Sequence, residues 1–126
     1  MRLRSKLVGV AIIAMLVMVI SACGASSTTM NENISEPSAA TTELVIEAKS
    51  WAFDKPEYHV KKGEAIKLSV KSSSGFHGIK IENTSYSIQT NESKILSFDK
   101  PGEYNIYCNI ACGTGHSKMK AKIIVS

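Results

Sequence analysis

Cys108-Asn109-Ile110-Ala111-Cys112-Gly113-Thr114-Gly115-His116-Ser117-Lys118-Met119 packs two thiols, one imidazole and one thioether into a single short stretch. These are the soft and borderline donors that copper prefers; magnesium, calcium and manganese favour oxygen ligands. The flanks of the stretch indicate what holds it. Before it, Tyr104, Ile106 and Cys108 fall on one face of an alternating run. After it, Met119 to Val125 reads as a closing strand. Alternation of period two marks half-buried strands, so the donors belong to a loop between two strands. A second imidazole, His77, stands upstream at the end of the Ser72-Ser73-Ser74-Gly75 loop.

Further outward the same pattern continues. Leu44-Val45-Ile46 with Trp51 and Phe53 reads as a first strand pair or one bent strand. Asp54-Lys55-Pro56-Glu57 is a turn, and Tyr58-His59-Val60 is a short strand. Ala65, Ile66, Leu68 and Val70 alternate with Lys67, Ser69 and Lys71. Phe76, Ile79 and Ile81 follow the Ser/Gly loop, Ser85 to Gln89 forms another strand, and Ile95 to Phe98 the next. Asp99-Lys100-Pro101-Gly102 is a strong turn signal. No helical period competes after residue 42. Seven or eight short strands predict an all-β domain over residues 42–126, an antiparallel sandwich or barrel.

The N-terminus has a different character. Arg2, Arg4 and Lys6 precede the apolar run Leu7 to Ile20, which meets Ser21-Ala22-Cys23. A basic start, a short apolar stretch and small residues at a cleavage point make a secretory signal over residues 1–22. The run is short for a membrane-spanning helix, which needs roughly 20 residues. Ile20-Ser21-Ala22-Cys23 resembles the bacterial lipoprotein lipobox, which implies a lipid on Cys23; an uncleaved anchor is the alternative. Both readings put the domain on the extracytoplasmic face of the cell membrane. Residues 23–41 are rich in Ser, Thr, Asn, Glu, Ala and Pro and read as a flexible, lipid-tethered linker.

Charge supplies less than the pI suggests. The chain holds fifteen basic and eleven acidic residues, and the signal accounts for three of the basic ones. What remains is twelve against eleven, a net charge of +1. The basic residues are scattered through strands and turns without interleaved aromatics, which argues against a nucleic-acid partner.

With the donors and strands in view, the chain resembles the copper domain of cytochrome c oxidase subunit II. The loop matches the Cys-x3-Cys-x3-His-x2-Met motif of its dinuclear CuA centre. Pro101-Gly102-Glu103-Tyr104 leading into Cys108, and His77-Gly78 after a Ser/Gly loop, resemble prokaryotic members. The resemblance covers about residues 44–126 and implies a cupredoxin-like Greek-key fold. It implies two copper ions bridged by Cys108 and Cys112, with His77 and His116 giving one imidazole to each. Met119 and the backbone carbonyl of Ile110 would be the weak ligands. The implied function is single-electron transfer for a redox partner such as a c-type cytochrome or a membrane oxidase. Two features depart from the family. Ile110 stands where oxidase subunits usually place a Glu that helps to bind magnesium, and a lipoprotein signal replaces the transmembrane helix or helix pair.

Other readings of the same residues remain open here. Cys112, His116, Met119 and His77 would suffice for a mononuclear blue-copper site, leaving Cys108 spare. A cupredoxin that delivers copper would use Cys108 and Cys112 for Cu(I). A Cys108–Cys112 disulfide would suit an exported chain, yet so short a loop adds little stability and leaves His116 and Met119 without a role. No open metal position or acid–base pair is evident, so the chain is not expected to be an enzyme on its own. His59 reads as a surface residue. Trp51 reads as core or rim packing, with electron entry as the alternative.

Overall fold

The computed structural model describes residues 33–126. The expected signal over residues 1–22 and the lipidation site Cys23 lie outside the described residues. Among the described residues no helix is long and apolar enough to cross a membrane.

Among the described residues there are ten strands: β1 (Ile34–Ser35), β2 (Thr42–Lys49), β3 (Ala52–Phe53), β4 (Glu57–Val60), β5 (Ile66–Ser72), β6 (Gly78–Ile81), β7 (Ser87–Gln89), β8 (Ser93–Phe98), β9 (Gly102–Tyr107) and β10 (Lys120–Val125). A 3-10 turn, His116–Lys118, lies between β9 and β10. The strands form two five-stranded sheets. One runs β1-β8-β5-β2-β3 and the other β4-β10-β9-β6-β7. The domain is an all-β sandwich, as the alternation predicts, and leaving out the two-residue pieces β1 and β3 leaves eight strands.

Strands β4 and β10 alternate buried and less buried residues, whereas β5 and β8 bury residues of both faces over part of their length. In β10 the buried residues are Ala121, Ile123 and Val125, and in β5 they include Ile66, Leu68 and Val70. These side chains meet Ile46, Ile79, Ile88, Leu96, Phe98 and Ile106 in one core. Fully burying an aliphatic side chain of this size stabilises by about 1.5–3 kcal/mol, so the alternating pattern is also the main source of stability.

Two expectations need correction. The sheets are not wholly antiparallel. β2 pairs parallel with β5, from Thr42↔Ile66 to Ala48↔Ser72, and β4 pairs parallel with β10. After β2 and β3 the chain crosses to the second sheet to form β4, then returns to lay β5 beside β2 in the same direction. Such crossovers leave no mark on a local hydrophobic pattern. Next, the stretch read as linker contains β1. Ile34 pairs with Phe98 and is only 5% exposed, so ordered chain begins ahead of residue 42. One apolar residue among polar neighbours carries no period, yet it suffices to fill a gap at a sheet edge. Phe76, in the β5–β6 loop, is 55% exposed.

Candidate metal centre

Three connections gather at one end of the sandwich: the β5–β6 loop, the β9–β10 loop and the β2–β3 turn. The β9–β10 loop is closed by its own backbone. Cys108 N donates to Met119 O at 3.1 Å, His116 N to Gly113 O at 3.2 Å and Met119 N to His116 O at 3.2 Å. The 3-10 turn thereby brings His116 and Met119 back toward the two cysteines.

The donor atoms converge. Cys108 Sγ lies 3.6 Å from Cys112 Sγ and 3.3 Å from the Ile110 carbonyl oxygen. Cys112 Sγ lies 3.5 Å from His116 Nδ1 and 3.6 Å from Met119 Sδ. Both cysteines are free thiols, so no disulfide joins them. Cys108 and Met119 are buried, whereas Cys112 and His116 are half-buried. His77 comes from the other loop and is fully buried. Its ring nitrogen and the sulfurs of Cys108 and Cys112 all lie within 4.8 Å of one another. All six positions singled out in the sequence are therefore brought together.

His77 shows how the cluster is poised. Its Nε2 lies 2.8 Å from the Ser74 carbonyl oxygen. A carbonyl only accepts, so Nε2 carries the proton and, in the neutral ring, Nδ1 bears a lone pair. That Nδ1 is buried and has no hydrogen-bond partner. An unpartnered polar atom in the interior is costly. A metal ligand with its second nitrogen held by a backbone carbonyl has this arrangement. The residues present thus fit a soft cation. Burial raises the Cys112 thiol above its ordinary value, and the adjacent Cys108 thiol raises it further. A thiolate forms here readily only when a cation takes the place of the proton.

Comparison with known proteins agrees with this geometry. No family model matches the chain. Cytochrome c oxidase subunit 2 of Thermus thermophilus is 29% identical over 82 residues, which cover 62% of this chain and 61% of that protein's length. A solved heme-copper terminal oxidase dimer matches over 95% of this chain and 90% of the other, with 25% identity and a TM-score of 0.58. The periplasmic domain of subunit II of cytochrome oxidase from Bradyrhizobium japonicum shares the fold, at 16% identity and a TM-score of 0.63, over 70% of this chain and 86% of that one. The chain has the cupredoxin fold and is similar to cytochrome c oxidase subunit 2.

Within this cupredoxin, several residues that sequence reading passed over support the donors. Thr90, at the end of β7, grips the His77 backbone. Its Oγ1 accepts from His77 N at 3.1 Å and donates to His77 O at 2.6 Å, and Thr90 N donates to the same oxygen at 2.9 Å. Ser72 Oγ donates to the Gly75 carbonyl at 2.6 Å and tightens the loop below the ring. Gly75 has φ +77°, and a Cβ there would stand 3.0 Å from His77 Nε2. Glycine both reaches that conformation and leaves room for the imidazole. The Ser-rich composition of the loop was a usable signal for such turn bonding. Thr90 carried none, because it is remote from His77 in sequence. His59 is a surface residue as read, with its side chain 71% exposed and 3.8 Å from Glu57. Trp51 sits on the rim rather than in the core, 42% exposed.

Proposed function

We propose that this domain holds a dinuclear CuA-type copper centre and passes single electrons between partners at the outer face of the cell membrane. Cys108 and Cys112 would bridge the two ions, His77 and His116 would give one nitrogen each, and Met119 and the Ile110 carbonyl would be the weak ligands. The observation that carries this reading is the orphaned, buried Nδ1 of His77, on a ring that offers a nitrogen within 4.8 Å of two cysteine sulfurs. When bound, two copper ions sharing bridging thiolates would supply a one-electron redox couple.

The chain's own residues explain why such a couple would run with little rearrangement. Ser74 holds the His77 ring from behind through Nε2. Thr90 fixes the backbone of the same residue on both sides. Cys108 and Met119 are tied by the hydrogen bond from Cys108 N to Met119 O, which closes the β9–β10 loop. Burial of Cys108, Met119 and His77 keeps bulk water from the inner half of the site. The Ile110 side chain packs against the core and brings no carboxylate. This distinguishes the chain from oxidase subunits with Glu at that position, and it favours a role that does not require an interfacial magnesium. The proposed attachment is a lipid on Cys23, and the proposed partners are a c-type cytochrome or a membrane oxidase.

Copper stoichiometry and EPR of the loaded domain test this reading. Two ions per chain should share one unpaired electron, giving closely spaced hyperfine lines from both nuclei. Cys108→Ser should abolish that pattern, because a hydroxyl is a harder and far less acidic donor than a thiol. One copper per chain, with a spectrum unaltered in Cys108→Ser, would refute the dinuclear centre in favour of a mononuclear blue site.

A further inference from the structure

Trp51 and Ser50 touch both ligand-bearing loops at once. The indole lies across the β9–β10 loop, and its Nε1–H donates to the Cys112 carbonyl at 2.9 Å. The fit is close. A Cβ on Gly115 would stand 2.4 Å from both Cβ and Cγ of Trp51, and one on Gly113 would stand 2.9 Å from Nε1. Neither position can carry a side chain while the indole keeps its seat. The neighbouring residue reaches the other loop. Ser50 N donates to Ser74 Oγ at 3.0 Å, and Ser50 Oγ lies 3.5 Å from the Ser74 carbonyl oxygen. That carbonyl is also the acceptor for His77 Nε2.

We propose that the Ser50–Trp51 turn is a cross-brace between the two ligand loops, holding His77 and the Cys112–His116 segment at ligating distance before any metal arrives. The His77 loop leads from β5 in one sheet into β6 in the other, where β6 pairs with β9; beyond that pairing the two loops share no covalent link near the site. β2 is paired to β5 from Thr42↔Ile66 to Ala48↔Ser72, so the turn after it is anchored to the base of the His77 loop. From there Ser50 holds Ser74, and Trp51 presses down on Gly113 and Gly115. A metal-free site with a buried, unpartnered His77 Nδ1 otherwise tends to relax toward water, because opening lets that nitrogen be solvated. The brace opposes that opening, and it lowers the ordering cost that metal binding would otherwise carry. Ser50 and Trp51 are positioning residues, since neither offers an atom to the metal. The copper aspect rests on the function proposed above; the effect on the metal-free loops does not.

The test uses Trp51→Ala, Trp51→Phe and Ser74→Ala, each compared with the wild type. In the metal-free protein, hydrogen exchange at residues 113–119 should quicken at least tenfold in Trp51→Ala. Exchange in β5, β8 and β10 should stay unchanged. Trp51→Phe keeps a ring over the glycines but loses the N–H donor, and should fall between. In the copper-loaded protein, extraction by a chelator should quicken in the same order, and Ser74→Ala should quicken it without disturbing Trp51. The visible copper–thiolate bands should shift in Trp51→Ala and return most of the way in Trp51→Phe. Unchanged exchange at 113–119, or an even rise across all strands, would overturn the brace. A wild type that takes up no copper would instead overturn the copper reading, while the exchange measurement still decides the brace.

Discussion

Thr90→Val isolates one hydrogen-bonding group that supports the candidate metal centre. Valine matches threonine in shape, so the substitution leaves no cavity and removes only the hydroxyl. Two bonds to His77 disappear, with unequal consequences. The His77 carbonyl retains the Thr90 N–H at 2.9 Å. His77 N, which donates to Thr90 Oγ1 at 3.1 Å, is left without that partner in a residue that is fully buried. Stranding a buried donor costs about 1–3 kcal/mol. For a small domain the urea m value is roughly 1–3 kcal/mol/M. A central cost of about 2 kcal/mol would therefore lower the urea midpoint by about 0.7–2 M, with m unchanged. Thr90→Ser restores the hydroxyl and gives up only a methyl group, worth about 0.8 kcal/mol if fully buried. It should recover most of the loss. The assay is urea unfolding of the metal-free protein, followed by its single tryptophan. A Thr90→Val midpoint within error of the wild type would refute the account of how His77 is held.

Alkaline melts should show the burial of Tyr58. In the folded chain its phenol ionises well above the usual range, first because it is buried and next because its hydroxyl donates to Asp54 at 2.6 Å. An unfolded tyrosine ionises near pH 10. Above that pH the folded state keeps a proton that the unfolded chain has released. The contribution of Tyr58 is thus fully present below pH 10 and is lost as pH rises beyond it, by about 1.4 kcal/mol per pH unit. Tyr86 and Tyr104 shift in the same direction, so the measurement is the difference between the wild type and Tyr58→Phe, whose stability should fall less steeply above pH 10. Equal slopes would refute it. Ile110→Glu should leave the visible copper spectrum in place, because only the carbonyl of that residue faces Cys108 Sγ, at 3.3 Å. Loss of the spectrum in a folded Ile110→Glu protein would remove that position from the proposed ligand set.

The sequence by itself determined the chemistry of the donors and most of the strands. Cys108, Cys112, His116 and Met119 lie on one loop, so their spacing alone limits how far apart they can be. Alternation along β5, β9 and β10 names the buried face because side chains on a strand point to opposite sides in turn. The turn signal at Asp99-Lys100-Pro101-Gly102 is local in the same sense. Tertiary structure decided the features that join remote segments. The parallel pairing of β2 with β5 depends on a crossover, and the burial of Ile34 depends on which strand edge it meets. Thr90 reaches His77 only when β7 pairs with β6, and Trp51 reaches Cys112 only after the two sheets have packed face to face. The motif predicted that His77 would face the thiols, but the lone pair that would make it a ligand rests on the Ser74 carbonyl behind the ring. Spacing along a chain records what a single loop can bring together; contacts between loops exist only where a shared hydrophobic core forces their strands into register.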